Sequence, residues 1–331
     1  MIRILFICHG NICRSVAGEM VLRQKAEEQG ITWLRVDSAA TTREEIGNDI
    51  YPPMKKALQL AGYVCHAHAA RQTLRSDYAS WDYIIGMDWE NMDDLFRIYG
   101  GDPSRKLSLL MDWTGKSGQE VEDPWYSRNF RGVLQQIEEG CDGLIQHLRI
   151  RREKQALRRQ AKRWVERMTP EEREAAGARI ADEVLESVEY RAASVIMAYV
   201  STPTEPDTRR ILEDALARGK TVLLPKCLDG QRMEARSFGG WDHLVPGRWG
   251  IPEPREQAEK GPLPQPELIL VPCVAASRNG TRLGHGAGYY DRFLAGQPGR
   301  RWCLCFEACL HEEIPTEAGD LPMDRVITEL G

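Results

Sequence analysis

The sequence predicts an α/β protein of two domains, the first a four-stranded parallel sheet with helices on both faces and the second a mixed or mostly parallel sheet packed with helices. Three observations predict it. Short apolar runs alternate with helix-period stretches through both halves. The 331 residues suit two domains of ordinary size. A strongly basic, helix-prone run, RIRREKQALRRQAKRWVERM from Arg149, separates one alternating half from the other. The boundary is therefore expected near Ile150, giving domains 1–150 and 151–331, with the basic run as a solvated helix and linker.

The elements follow in order. IRILFIC (Ile2 to Cys8) is a near-continuous apolar run, as a strand covered on both faces requires. Further strands are expected at RVDSA from Arg35, DYIIGM from Asp82 and KLSLLM from Lys106. Between them lie helical patterns at Ser15 to Gln29, Pro53 to Leu60 and Trp89 to Tyr99. These four strands predict a parallel sheet with helices on both faces. The amphipathic GVLQQIEEGCDGLIQHL closes this half. In MTPEEREAAGARI, Thr169 is placed to cap a helix, Pro170 to open it and acidic residues to fill its first turn. The second half offers strands at Ser194 to Val200, from Thr221, at Leu268 to Ala275, from Arg301 and from Arg325. Proline and glycine between Val245 and Pro266 read as a long loop.

Bulk composition narrows the class. Apolar residues make up 42% and charged residues 28%, enough for packed cores in a globular chain. A net charge of −5 is too mild for a nucleic-acid coat, so no nucleic-acid partner is expected. No apolar run approaches the ~20 residues of a membrane span, so no membrane partner is expected either. Nothing at the start resembles a secretory signal, and nine cysteines follow no regular framework. Reduced thiols in a cytoplasmic protein are the expectation.

Two loops carry chemistry. In FICHGNICRS a strand ends at Cys8, where open parallel sheets hold ligands, and Gly10 permits a tight turn into a helix starting near Arg14. Amides in such a turn converge on an anion, the helix N-terminus adds positive charge, and Arg14 supplies a fork for two phosphate oxygens. That field favours a Cys8 thiolate. A thiolate attack on phosphorus then calls for a proton donor, and Asp123-Pro124, followed by Trp125 and Tyr126, offers a rigid one with aromatic walls. The second loop is NGTRLGHGAGYYDRFL, with Gly280, Gly284, Gly286 and Gly288 around Arg282 and Asp291. Its glycines allow close approach to a polyphosphate, Arg282 brings charge and Asp291 an oxygen for Mg²⁺. It is neither a Walker loop nor a dinucleotide fingerprint.

The first half, about Met1 to Leu148, resembles the low-molecular-weight protein tyrosine phosphatases through LFICHGNICRS, SAATT, MDWENM and EDPWY. The resemblance implies that Cys8 is the nucleophile of a phosphocysteine intermediate, that Arg14 binds the phosphoryl oxygens and that Asp123 is the acid and later the base. It implies that Asn11 and Ser15 hold the loop and the thiolate, and that Cys13 can form a reversible disulfide with Cys8. Phosphoarginine-specific members carry Thr where this chain has Ile12, so a phosphotyrosine protein or aryl phosphate is the expected substrate, with no cofactor. The departures are His9 and Val16-Ala17-Gly18. Cys65 and Cys141 do not supply the paired redox cysteines of the related arsenate reductases.

The second half, about Lys154 to Leu330, resembles 5-formyltetrahydrofolate cyclo-ligase, also called methenyltetrahydrofolate synthetase. The matching pieces are KQALR, STPTEPDT, LLPK, GIPEP, LILVPCVAASRNGTRLGHGAGYYDR and MDRVITE. The implied reaction converts 5-formyltetrahydrofolate to 5,10-methenyltetrahydrofolate with ATP and Mg²⁺. It would place Lys154, Arg158, Arg282, Gly284, Gly286, Gly288, Tyr289, Tyr290 and Arg292 at ATP. Glu205, Asp207 and Trp249 would lie at the folate, and Asp291 and Asp324 at the metal. Ala276-Ser277, where the family usually has Phe-Asp, departs from the pattern, as do His285 and Ala287.

The leading expectation is a bifunctional enzyme, a phosphatase fused to a cyclo-ligase. Two others stay open: one half is a binding or regulatory module, or Cys8 and Cys13 form a redox switch. Cys303, Cys305, Cys309 and His311 read as strand and core residues, not as a zinc site. His66 and His68 read as surface residues, and Trp81, Trp89 and Trp113 as core aromatics.

Overall fold

The computed structural model describes residues 1–228, 232–255 and 262–331. The chain divides into two compact units, Met1–Arg149 and Ile150–Gly331.

The first unit is a four-stranded, all-parallel sheet in the order β2-β1-β3-β4. Its strands are β1 Ile2–Cys8, β2 Leu34–Ala40, β3 Tyr83–Gly86 and β4 Leu107–Leu109. The apolar run of β1 is explained by its central place: Ile4, Leu5, Phe6 and Ile7 have no exposed surface. Side chains alternate across a strand, so Ile4, Phe6 and Cys8 join one core cluster while Leu5 and Ile7 join another on the opposite face. Helices Arg14–Glu28, Pro52–Leu60 and Trp89–Tyr99 return the chain between strands.

The amphipathic segment and the basic run behind it form one helix, Phe130–Arg167. No linker separates them. From Leu144 to Met168 there is neither glycine nor proline, so nothing stops propagation until Thr169 and Pro170. There the expected cap forms in full. Thr169 Oγ1 accepts from Glu172 N at 3.2 Å, and Glu172 Oε2 accepts from Thr169 N at 2.8 Å.

The second unit holds β5 Val195–Met197, β6 Thr221–Cys227, β7 Met233–Ser237, β8 Leu244–Pro246, β9 Pro252–Pro254 and β10 Leu268–Pro272. It continues with β11 Ala275–Ser277, β12 Arg282–Leu283, β13 Arg300–Leu304, β14 Leu310–His311 and β15 Arg325–Ile327. Six of them make a mixed sheet, β15-β13-β10-β5-β6-β7, parallel except for the β6–β7 pair. The apolar stretch Leu268 to Ala275 does not stay one strand. It leaves the main sheet after Pro272, and Ala275–Ser277 joins a small sheet with β12 and β14. The segment expected as a plain loop from Val245 to Pro266 contains β9 paired antiparallel with β8, and its residues 256–261 lie outside those described.

Cys303, Cys305 and Cys309 are buried in the core of this unit. Trp81 is buried as expected and Trp113 stacks edge-on against Tyr83. Trp89 departs from the expectation: it is 53% exposed, because it opens a helix at the surface and its ring nitrogen donates to the Gly118 carbonyl.

Candidate active sites

In the first unit the loop His9–Cys13 joins the C-terminal end of β1 to the helix that begins at Arg14. Cys8, the last residue of β1, is 3% exposed, and its Sγ lies 3.1 Å from Ser15 Oγ. Asn11 takes a left-handed backbone, φ +57, which asparagine tolerates better than most residues. Its side-chain amide donates to Ser15 Oγ at 3.0 Å and to Ser38 Oγ at 2.8 Å, and its Oδ1 accepts from Arg71 N at 3.1 Å. Ser38 in turn donates to the buried Glu19 carboxylate at 2.6 Å. Cys8 is thus tied through Ser15 and Asn11 to a buried hydrogen-bonded chain.

Arg14 is 3% exposed and bridged by two carboxylates. Its Nη1 donates to Asp88 Oδ2 at 2.5 Å and its Nη2 to Asp123 Oδ2 at 2.6 Å. Burial works against this charge, but Cys8, Asp88 and Asp123 outweigh it and hold the guanidinium pKa above its ordinary value. Asp123 caps the short helix Pro124–Ser127 by accepting from Trp125 N at 2.9 Å. Trp125 and Tyr126 stand exposed, and the Trp125 ring lies 5.7 Å from that of Tyr51. Ile12 lines a hollow of about 480 Å³ with Tyr51, Pro52 and Lys55. Cys13 is half-buried, and burial, then the neighbouring Cys8, pushes its thiol well above the ordinary range.

The structure therefore brings Cys8, Asn11, Arg14, Ser15 and Asp123 together, with Cys13 alongside. It adds residues that sequence reading missed. Asp88 lay inside the quoted MDWENM and shows its role only through Arg14. Ser38 and Glu19 carry no sequence signal beyond their neighbourhood. His68, expected as a surface residue, is half-buried with its Nε2 2.6 Å from the Asn11 carbonyl oxygen, because the segment after the helix Pro52–Leu60 returns to the loop.

In the second unit guanidinium groups gather around the glycine loop. Arg158 Nε donates to the Gly284 carbonyl at 2.8 Å. A Cβ on Gly286 would stand 3.3 Å from the Arg158 guanidinium, and one on Gly288 2.7 Å from Arg292 Nη1. Both glycines have positive φ, +98 and +66, so the loop needs them for conformation and for room. Arg282, 9% exposed, donates to Asp291 Oδ1 at 2.8 Å and to the Pro272 carbonyl at 3.1 Å. Its Nε is buried with no partner among the described residues. Burial lowers the Arg158 pKa, against Asp320 and Glu317. Lys154, one turn earlier on the same helix, is buried and paired with Glu317 at 2.8 Å and Asp320 at 2.5 Å.

Tyr289 is buried, its hydroxyl accepts from Arg248 Nη1 at 2.8 Å, and the exposed Trp249 ring meets it edge-on at 5.7 Å. Tyr290 lies beneath the Arg282 guanidinium, 5.7 Å from ring centre to Cζ. Glu205 Oε2 accepts from Thr202 N and Oγ1 at 2.8 and 2.9 Å, while its Oε1 stands 3.5 Å from His285 Nε2. Asp207 Oδ1 accepts from Ser201 Oγ and Arg209 N. The loop thus gathers Arg158, Arg282, Tyr290, Asp291 and Arg292, and His285 links it to Glu205. Asp324 is engaged elsewhere, accepting from Arg301 N at 2.7 Å. Ala276 and Ser277 are buried in β11, where Ser277 N donates to the Thr281 carbonyl across the turn into β12. Among the described residues no three His, Cys, Asp or Glu side chains are grouped to hold a metal ion. No helix among them is long and apolar enough to cross a membrane.

Comparison with known proteins matches each unit separately. The family of low molecular weight phosphotyrosine protein phosphatases matches residues 3–156, and the 5-formyltetrahydrofolate cyclo-ligase family matches residues 150–329, more than half of the chain. The Bacillus subtilis low molecular weight protein-tyrosine-phosphatase YfkJ is 36% identical over 157 residues, covering 47% of this chain and 99% of that protein. The human low molecular weight phosphotyrosine protein phosphatase is 36% identical over 149 residues, covering 43% and 93%. The solution structure of Aquifex aeolicus 5,10-methenyltetrahydrofolate synthetase is 26% identical, covers 54% of this chain and 90% of its own, and aligns with a TM-score of 0.48. The chain belongs to two enzyme families at once, a low molecular weight phosphotyrosine protein phosphatase in its first unit and a 5-formyltetrahydrofolate cyclo-ligase in its second.

Proposed function

We propose that the first unit hydrolyses phosphotyrosine or a related aryl phosphate through a Cys8 phosphocysteine. The carrying observation is Cys8 beside the Ser15 hydroxyl, at the mouth of a loop whose one buried guanidinium, Arg14, is shared by Asp88 and Asp123. The Cys8 thiolate attacks phosphorus. Asp123 gives a proton to the departing phenolic oxygen, and then takes one from the water that opens the thiophosphate bond. Arg14 takes the phosphoryl oxygens in this reading, and an incoming phosphoryl group competes with the Asp88 and Asp123 carboxylates for its fork. Ser15 donates to the sulfur as it becomes the leaving group, while Asn11 keeps Ser15 aimed. Ile12 and the exposed Trp125 favour an aryl group over a guanidinium at the rim. Hydrolysis of an aryl phosphate, with inhibition by vanadate, tests this half; a Cys8→Ser chain that keeps the activity would remove the thiolate from the mechanism.

We infer that the second unit converts 5-formyltetrahydrofolate to 5,10-methenyltetrahydrofolate. The carrying observation is the glycine loop with Arg158, Arg282 and Arg292 packed against it. The residues fit a polyphosphate: Arg282 Nε is buried without a partner, and two glycines leave backbone open beside two guanidinium groups. Asp291 is the carboxylate available to Mg²⁺, which ordinarily needs only one or two beside phosphate oxygens. ATP and Mg²⁺ would supply phosphoryl activation of the formyl oxygen. The chain's own part is to orient and neutralise: Arg158, Arg282 and Arg292 hold phosphate charge, and Tyr289 and Tyr290 wall the loop. Lys154 joins them once phosphate replaces Glu317 and Asp320. Glu205, Asp207 and Trp249 face the folate in this reading, and Asp324 acts through Arg301 more readily than at the metal. Formation of the methenyl chromophore from 5-formyltetrahydrofolate, dependent on ATP and Mg²⁺, tests this half; a folded chain that binds ATP without forming it would make the unit a binding module.

A further inference from the structure

We infer that the phenolic hydroxyl of Tyr199 is a substrate-binding donor of the second unit, offered to an oxygen acceptor on the folate substrate; this rests on the cyclo-ligase reading above.

Tyr199 lies two residues beyond the end of β5, at the C-terminal edge of the sheet, and is 3% exposed. Its backbone is pinned, since Thr208 Oγ1 donates to the Tyr199 carbonyl at 2.6 Å. Its hydroxyl is buried and has no partner among the described residues. A buried donor without an acceptor is expensive, and native structures rarely keep one without a reason. Here three unfilled polar atoms share one neighbourhood. The Glu205 charge acts on both Tyr199 and Tyr290, and the Arg282 guanidinium, with its own unfilled Nε, lies 5.7 Å from the Tyr290 ring.

The described residues supply no good acceptor for these groups. Glu205 is already engaged by Thr202 and faces His285, while Cys273 Sγ itself donates to the Leu304 carbonyl at 3.2 Å. Thiols are weak acceptors in any case. Burial, then the nearby Glu205 charge, pushes the Tyr199 hydroxyl well above its ordinary range, so it stays protonated and can donate at neutral pH. Arg282 and Asp291 sit on the loop assigned to phosphate. The charged group that acts on the Tyr199 hydroxyl is Glu205, assigned above to the folate, so we take the acceptor to be on the folate.

The test is Tyr199→Phe in the full chain, read by thermal unfolding without ligand, by the affinity for 5-formyltetrahydrofolate and by the affinity for ATP. The variant removes only the hydroxyl. The unliganded variant should unfold at the same temperature as the wild type or higher, because an unfilled buried group is gone. Its affinity for 5-formyltetrahydrofolate should fall about tenfold or more, with ATP affinity unchanged. Unchanged folate affinity would overturn the inference, whether the hydroxyl is served by a buried water or by nothing. A variant that is less stable or fails to fold would overturn it too, making the hydroxyl structural. A wild-type chain that does not bind 5-formyltetrahydrofolate would instead sink the cyclo-ligase reading itself.

Discussion

The Cys8 loop and the glycine loop distribute their charge differently. At the Cys8 loop a single guanidinium does the electrostatic work, and side-chain hydrogen bonds hold the backbone: Asn11 alone joins Ser15, Ser38 and the Arg71 amide. At the second loop the charge is spread over Arg158, Arg282 and Arg292, and Arg158 and Arg292 themselves tie the glycine-rich backbone by donating to the Gly284 and Ala287 carbonyls. The difference matches what each must hold. In the proposed mechanism a nucleophilic sulfur needs one fixed line of attack on one phosphorus, which suits a buried Cys8 tied to Ser15 and Asn11. The proposed polyphosphate presents many oxygens, which suits several arginines around a bare backbone.

The largest effect should come at the sulfur. Cys8→Ser should lower aryl phosphate hydrolysis by about 10⁴-fold or more while leaving methenyl formation intact, measured side by side on one preparation. A parallel fall in both rates would break the comparison by showing that the two cradles depend on each other.

Asp123→Ala comes next. Losing a positioned acid should lower kcat by about 10²–10⁴-fold, with the smallest loss for aryl phosphates whose leaving group needs no proton. Equal losses across leaving groups would move the acid elsewhere, and Asp88, the other carboxylate on Arg14, would be the first alternative to examine.

Arg282→Ala should lower methenyl formation by about 10²–10³-fold and spare the phosphatase. An effect of only a few fold would mean that Arg158 and Arg292 cover its loss, a redundancy that the Cys8 loop does not have.

The smallest effect belongs to Gly286→Ala. Its left-handed backbone, φ +98, and a Cβ 3.3 Å from the Arg158 guanidinium predict strain on the order of 1–2 kcal/mol, with weaker ATP binding. Thermal unfolding and ATP titration read the two parts separately. Full ATP affinity would show that the loop can reshape around the added methyl group.

Much of both sites was legible because their residues are close in the chain. Cys8, Asn11, Arg14 and Ser15 fall within eight residues, and Arg282 to Arg292 within eleven, so sequence spacing alone brings them near one another. Asp123 was legible only by its motif, 109 residues from the arginine it meets. Asp88, Glu19, Ser38 and His68 were not, since each acts through a partner far along the chain or on another element. The boundary region was half legible. Its helix propensity was plain, but whether that run would form a linker or continue the preceding helix depended on cooperative propagation through Phe130–Arg167.

By itself the sequence determined two α/β halves, their alternating strands and helices, and two glycine-bearing loops with arginines close in the chain, because hydrophobic period, glycine position and capping chemistry act over a few residues. Tertiary structure alone decided which carboxylates share Arg14, that Lys154 is held by Glu317 and Asp320, and that Tyr199, Tyr290 and Arg282 leave polar atoms unfilled. Those outcomes depend on which side chains meet after burial, and a buried polar group's partner is set by whatever the fold brings within about 3 Å of it.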